Sequence, residues 1–296
     1  MRTLTFCIVA MLCVAAPVLA DYSTGFEASE GYTMSSATVG GYLYEQPTSL
    51  GWGTTDTTAI SYQVSVGDPR YYPAGGRTPD VYVPGTSTGM AAAHGGSSAL
   101  DWKAAYGRGA WHGFRGDGKT GKLITTDVWM QRQLGATAPN PAIGQFFCAI
   151  QQGSGSTNRT AGFGLNGTSS TNTARQGYYS AGNWIPVTQY YDFGTQTWLA
   201  YDNTIVANQW YHFNAIIDLR NPLDKKWYLT INDKLVAFGV PLWNTAAADS
   251  DTVYFYKSFI GGAAVDDMYV TVPEPSSILA LACGALGMLG MIRRRK

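Results

Sequence analysis

Between positions 210 and 219, Tyr211, Phe213, Ala215, Ile217 and Leu219 take every second place, with His212, Asn214, Ile216 and Asp218 between them. A period of two sends alternate side chains to opposite faces of an extended chain, so the segment reads as a half-buried strand and not as an amphipathic helix. Trp227, Leu229 and Ile231 repeat the pattern against Tyr228, Thr230 and Asn232, and Asn232-Asp233 then reads as a hairpin turn into 234–238. Further strands are expected over 123–130, 143–151, 197–201, 252–260 and 263–272. The chain holds 35 Gly, 19 Tyr and 9 Trp and no long Ala/Glu/Lys/Leu stretch, which makes the body all-β. With 13% aromatic and 14% charged residues it is not a disordered chain. No repeat of 20 to 50 residues is visible, which argues against propellers and solenoids. The Pro- and Gly-rich segment 67–96 reads as a long excursion from the sheet, and 153–183 as a second irregular stretch.

The two ends read as addresses. Met1 and Arg2 precede an apolar run over 4–19, and Val18-Leu19-Ala20 sets small residues before a cleavage point between Ala20 and Asp21. Residues 1–20 are thus expected to be a secretory signal peptide. At the far end, Pro273-Glu274-Pro275 precedes an uncharged apolar stretch over 276–292, followed by Arg293, Arg294, Arg295 and Lys296. At ~1.5 Å per residue that stretch is about 25 Å long, enough for a transmembrane helix through a thin bilayer, with the cations holding its end in the cytoplasm.

The three-part tail over 272–296 resembles the PEP-CTERM sorting signal, also called the ice-binding protein C-terminal domain. Pro273, Glu274 and Pro275 match its motif, and the apolar helix and Arg cluster match its other parts. The resemblance implies a Gram-negative host that makes extracellular polysaccharide and an exosortase-type processing enzyme as partner. It also implies an inner-membrane anchor during sorting, followed by a place in the cell envelope, on the surface or in the extracellular matrix.

Between the addresses the charge balance is −4, from 15 Lys and Arg against 19 Asp and Glu, with no basic stripe. No nucleic-acid partner is expected. Cys7 and Cys13 lie in the signal peptide and Cys283 in the tail, so Cys148 is alone in the body and no internal disulfide can form. Cys148 sits in the run Phe146-Phe147-Cys148-Ala149-Ile150 and reads as a small core residue. The body, 21–271, must be held by its core.

Three body segments carry a second resemblance. They are Trp210-Tyr211-His212-Phe213 leading to Asp218, the hairpin entry 227–233, and the closing run Val265-Asp266-Asp267-Met268. With the opening Gly25-Phe26-Glu27 and Gly51-Trp52-Gly53, they are similar to the concanavalin A-like lectin/glucanase superfamily in its laminin G-like form. The resemblance implies a single jelly-roll β-sandwich.

Catalysis finds little support in the residues. The mature chain has four Glu, namely Glu27, Glu30, Glu45 and Glu274, and no Glu-x-Asp-x-x-Glu strand of the superfamily's glucanases. No Gly-x-Ser-x-Gly elbow accompanies His94, His112 or His212. No catalytic residue is therefore assigned. In the last strand Asp266 shares parity with Met268 and Val270, whereas Asp267 goes with Tyr269 and Thr271, so one carboxylate falls on an apolar face. It is satisfied either by local hydrogen bonds or by a structural Ca²⁺ held with Glu27, Asp266 and Asp267. Aromatics in Gly-rich sequence, Trp102, Trp111 and Trp184, are the candidate contacts for sugar rings. The reading favoured is a non-catalytic carbohydrate-binding module for extracellular polysaccharide. The alternatives are a structural surface protein without a ligand and a polysaccharide-active hydrolase or lyase.

Overall fold

A computed structural model describes residues 22–26, 28–32, 51–54, 80–82, 99–102, 108–114, 122–132, 144–153, 158–168, 173–206, 209–258 and 263–272. The expected signal peptide with its Ala20–Asp21 cleavage point, Glu27, the Pro273-Glu274-Pro275 motif, the helix 276–292 and Arg293, Arg294 and Arg295 lie outside these residues. Among the described residues, no helix is long and apolar enough to cross a membrane.

The first strands are β1 (Tyr22–Thr24), β2 (Trp52–Thr54), β3 (Asp80–Tyr82), β4 (Ala99–Trp102), β5 (Arg108–Gly113) and β6 (Leu123–Arg132). The middle of the chain forms β7 (Phe146–Gln151), β8 (Arg159–Thr168), β9 (Thr173–Ser180), β10 (Asn183–Pro186), β11 (Gln189–Asp192) and β12 (Thr197–Ala200). The last are β13 (Trp210–Asp218), β14 (Lys226–Ile231), β15 (Lys234–Pro241), β16 (Thr252–Lys257) and β17 (Ala263–Thr271). They build two antiparallel sheets. A ten-stranded sheet runs β12-β11-β15-β14-β13-β6-β17-β4-β3 with β1 also on β17, and a seven-stranded sheet runs β10-β9-β8-β7-β16-β5-β2.

The period-two segment becomes β13, central in the ten-stranded sheet, with Tyr211, Phe213, Ala215 and Ile217 all buried. It pairs with β6 on one side and β14 on the other. Asn232 (φ 49°) and Asp233 (φ 63°) turn β14 into β15. Two successive left-handed residues suit a two-residue hairpin, and Asn and Asp tolerate that conformation better than other side-chain-bearing residues. β1 lies beside β17, so the first and last strands of the body are neighbours.

The core fills the space between the sheets. Phe163 of β8 stacks on Phe213 of β13 at 5.2 Å between ring centres, and Trp227 meets Tyr178 edge-on at 5.7 Å. Trp227 is fully buried, and its Nε1–H donates to the Pro241 carbonyl at 3.0 Å, so its polar end is satisfied. Cys148 is part of this core, where burial pushes its thiol well up. A catalytic thiol needs the reverse shift.

The expected irregular stretch 153–183 is corrected by the structure, because it contains the long strands β8 and β9. Its alternation was hidden: Ala161, Phe163 and Leu165 point into the core, but the places between them are Gly162 and Gly164. A glycine there reads as a loop residue and in fact marks an outer face with no room for a Cβ.

Candidate functional site

The outer face of the seven-stranded sheet is apolar as well as the inner one. Along β7, Phe146, Cys148 and Ile150 enter the core, while Phe147 and Ala149 join a separate buried cluster with Tyr179 and Tyr254. Trp111, Trp184, Trp243 and Tyr256 are half-buried and pack against that cluster. The register lines them up. Trp111 of β5 faces Tyr254 of β16, Tyr254 faces Ala149 of β7, Tyr256 faces Phe147, and Tyr179 of β9 faces Trp184 of β10. With strands about 4.8 Å apart, the track from β10 to β5 is about 24 Å long.

These rings lie low because glycine sits under them. Gly53 lies beneath Trp111 and Gly109 beneath Tyr254. A Cβ on Gly162 would come within 2.5 Å of Trp243, and one on Gly177 within 2.5 Å of Trp184. Trp243, from the segment after β15, stacks face to face on Tyr179 at 3.6 Å and meets Phe147 edge-on at 5.4 Å. The Trp243 amide donates to Thr160 O at 2.8 Å, which ties that segment to β8. The result is a row of aromatic rings laid along a sheet. Such rings can stack on the C–H faces of sugars.

One cation sits among them. The Arg159 guanidinium carbon lies 4.8 Å from the ring centres of Phe147 and Trp243 and 5.5 Å from that of Tyr254. Its Nε is buried and meets no hydrogen-bond acceptor, and Trp184 Nε1 is in the same condition. Burial pushes the Tyr179 hydroxyl up to about 12, against the Asn166 amide, which donates to it at 3.1 Å, and against the charge of Arg159. Burial likewise raises Tyr254, with Arg159 opposing.

Of the three tryptophans proposed from sequence, Trp111 and Trp184 share this face. Trp102 does not, since it ends β4 in the ten-stranded sheet, paired with Ala263. Sequence reasoning missed Phe147, Tyr254, Tyr256, Trp243 and Arg159. The signal that could have found them is Gly recurring one strand away from each ring, which needs the strand pairing to be known.

The outer face of the ten-stranded sheet is built differently. His212 Nε2 lies 2.8 Å from Asp127 Oδ1, Asn214 Nδ2 donates to Asp127 Oδ2 at 2.9 Å, and Trp129 stacks on the imidazole at 4.6 Å. His212 Nδ1 faces Asp233 Oδ1 at 3.6 Å. The hydrogen bond to Asp127 is the main cause that raises the His212 pKa. Nε2 is engaged by Asp127, which favours the imidazolium, while Nδ1 lies beyond hydrogen-bond distance of the exposed Asp233.

Asp266 is fully buried, as its parity with the apolar face requires, and its Oδ1 accepts from the Asp267 amide at 2.8 Å. Asp267 has φ 45°, within a bulge of β17 against β6. Among the described residues, no three His, Cys, Asp or Glu side chains gather in a way that could hold a metal ion. Glu27 lies outside them, but its neighbour Glu30 accepts from Thr24 Oγ1 at 2.9 Å and from the Gly25 amide at 3.1 Å.

Residues 271–296 match the PEP-CTERM protein-sorting motif. No curated protein matches the chain as a whole. Among solved structures, the globular domain of T. cruzi calreticulin is similar at 10% identity and a TM-score of 0.42, over 83% of this chain and 95% of that one. A carbohydrate esterase from the Shiga toxin-encoding bacteriophage phi24B is similar at 13% identity and a TM-score of 0.42, over 80% and 97%. The alginate lyase Aly36B is similar at 12% identity and a TM-score of 0.39, over 60% and 82%. Superpositions this distant carry no information on ligand or activity.

Proposed function

We propose that this protein is an exported cell-envelope component whose β-sandwich, of concanavalin A-like jelly-roll type, is a non-catalytic module binding extracellular polysaccharide. The sorting motif at 271–296 supports export and processing by an exosortase-type enzyme, with the tail anchored in the inner membrane until then. The observation that carries the binding reading is the row of half-buried rings Trp111, Tyr256, Trp243 and Trp184 on one sheet face. Rings already packed against one another lose little side-chain entropy when a sugar stacks on them, which favours binding through aromatics.

A hydrolase or lyase has less support. The one histidine–carboxylate cluster among the described residues is knit into the sheet, with Asp127 held by both His212 and Asn214. The reading of a matrix component without a glycan ligand is favoured by the β11–β12 hairpin, whose Phe193, Trp198 and Leu199 are exposed. A contiguous apolar hairpin at a sheet edge is suited to packing against other chains.

The deciding test is affinity electrophoresis of the full-length chain in detergent through gels loaded with the host's own exopolysaccharide. Retardation is expected, and the double substitution Trp111→Ala and Trp184→Ala should abolish it. Unretarded migration of a folded wild-type chain would leave the matrix reading standing. Release of reducing or unsaturated ends from the polymer would establish an enzyme instead.

A further inference from the structure

We propose that the aromatic face selects an acidic polysaccharide, with a sugar carboxylate taken by the Arg159 guanidinium. This rests on reading that face as a glycan surface. Arg159 stands in the middle of the row, its guanidinium carbon 4.8 Å from the ring centres of Phe147 and Trp243, so a sugar stacked beside Trp243 comes within its reach. The rings hold the cation in place, and the Tyr254 hydroxyl is an acceptor within its reach. The Arg159 Nε is buried without an acceptor, and among the described residues no carboxylate forms an ion pair with the guanidinium. Trp184 Nε1, toward the β10 end of the row, is a second donor without an acceptor. Both atoms are shielded from solvent, so what the face offers a ligand is the half-exposed guanidinium as a whole, a cation without a carboxylate partner among the described residues.

A ligand that brings oxyanions supplies the charge partner that this cation lacks. A carboxylate accepts two parallel N–H bonds from a guanidinium, and such charge-assisted pairs are about twice as strong as neutral ones. A sugar hydroxyl supplies only a neutral acceptor. The body as a whole does not favour anions, since its balance is 15 Lys and Arg against 19 Asp and Glu. Preference for an acidic glycan must come from a local cation, and Arg159 is the one that the rings hold.

The test compares two polymers with one backbone, polygalacturonate and its fully methyl-esterified form, by titration calorimetry on the full-length chain in detergent. The acid form should bind about tenfold more tightly than the ester, the difference that one charge-assisted contact makes over a neutral one. Arg159→Gln should bring the acid form down to the level of the ester, while Arg159→Lys should keep part of the preference. Near-UV circular dichroism of each variant shows whether the stacked rings have survived. If Arg159→Gln disturbs them, raising the salt concentration on the wild type serves instead, since only the acid form should weaken. Equal affinity for the two polymers, or a preference that outlives Arg159→Gln with the rings intact, overturns the proposal. Binding of a neutral glucan with no binding of polygalacturonate overturns it while leaving the glycan surface standing. No binding of any of the three polymers, with the Trp111→Ala and Trp184→Ala chain equally inert, removes the underlying reading as well.

Discussion

The two outer faces of this sandwich solve the same problem by opposite means. On the ten-stranded sheet, polar groups at the centre of the outer face satisfy one another, with Asp127 accepting from both His212 and Asn214, although Ile216 on the same face is exposed. On the seven-stranded sheet the outer places alternate between large rings and glycines, and the rings lie across the glycines of the next strand. The polar groups at the centre of the first face spend their hydrogen bonds within the sheet. On the second, large rings pack over glycines around the half-exposed Arg159 cation, which has no carboxylate partner among the described residues. A surface with unspent interactions is the one to suspect of binding.

The largest effect that would sharpen this contrast is Gly164→Ala. A Cβ there would run into the Phe146 carbonyl and the Phe147 backbone, which cannot move aside as a side chain can. A loss of about 3 kcal/mol of stability is expected in urea denaturation, at the upper end for overpacking. A loss under about 1 kcal/mol would break the claim that glycine is required on this face. Thr230→Ala, on the polar face, should stay within about 0.5 kcal/mol.

Next in size is Trp243→Ala. The substitution removes the ring stacked on Tyr179 and the platform beneath Arg159. It should cost about 2 kcal/mol, less than a fully buried ring because Trp243 is half-exposed, and it should weaken any glycan binding in parallel. Lost stability with full binding would place the glycan elsewhere on the molecule.

The smallest effect belongs to the polar face and depends on pH. His212 titrates above its ordinary value of 6.5, chiefly because Asp127 accepts its hydrogen bond. A raised folded value means that the contribution is fully present below about 6.5, the unfolded value, and disappears as pH climbs through the folded one. The stability gap between wild type and His212→Gln should therefore be greatest near pH 5.5 and shrink by pH 9, by less than about 1 kcal/mol given partial exposure. A gap that widens with pH would mean that the imidazole is held neutral, which would reopen the question of a base on that face.

Much of the fold was legible because alternation survives wherever the outer places carry polar side chains. β13, β14, β6 and β17 were expected within a residue or two, and so was the Asn232-Asp233 turn. β8 and β9 were not, because their outward places at Gly162, Gly164 and Gly177 carry no side chain to mark a face. The candidate site was legible only in part. Trp111 and Trp184 stood out as aromatics in Gly-rich sequence, but Trp102 stood out by the same rule and belongs to the other sheet.

By itself the sequence settled the all-β body, the absence of a disulfide within it, the −4 balance of its charges and the sorting motif at its end. These follow from local spacing and from counts, which need no knowledge of what packs on what. Only the tertiary structure decided which rings share a face. Phe147, Tyr179, Trp184, Trp243 and Tyr254 come from positions up to 107 residues apart (147 to 254) and meet through strand order and register. Pairing of that kind is set by the burial of the inner faces across the whole sandwich, so the outer cluster is a consequence of the core, and no single stretch of chain encodes it.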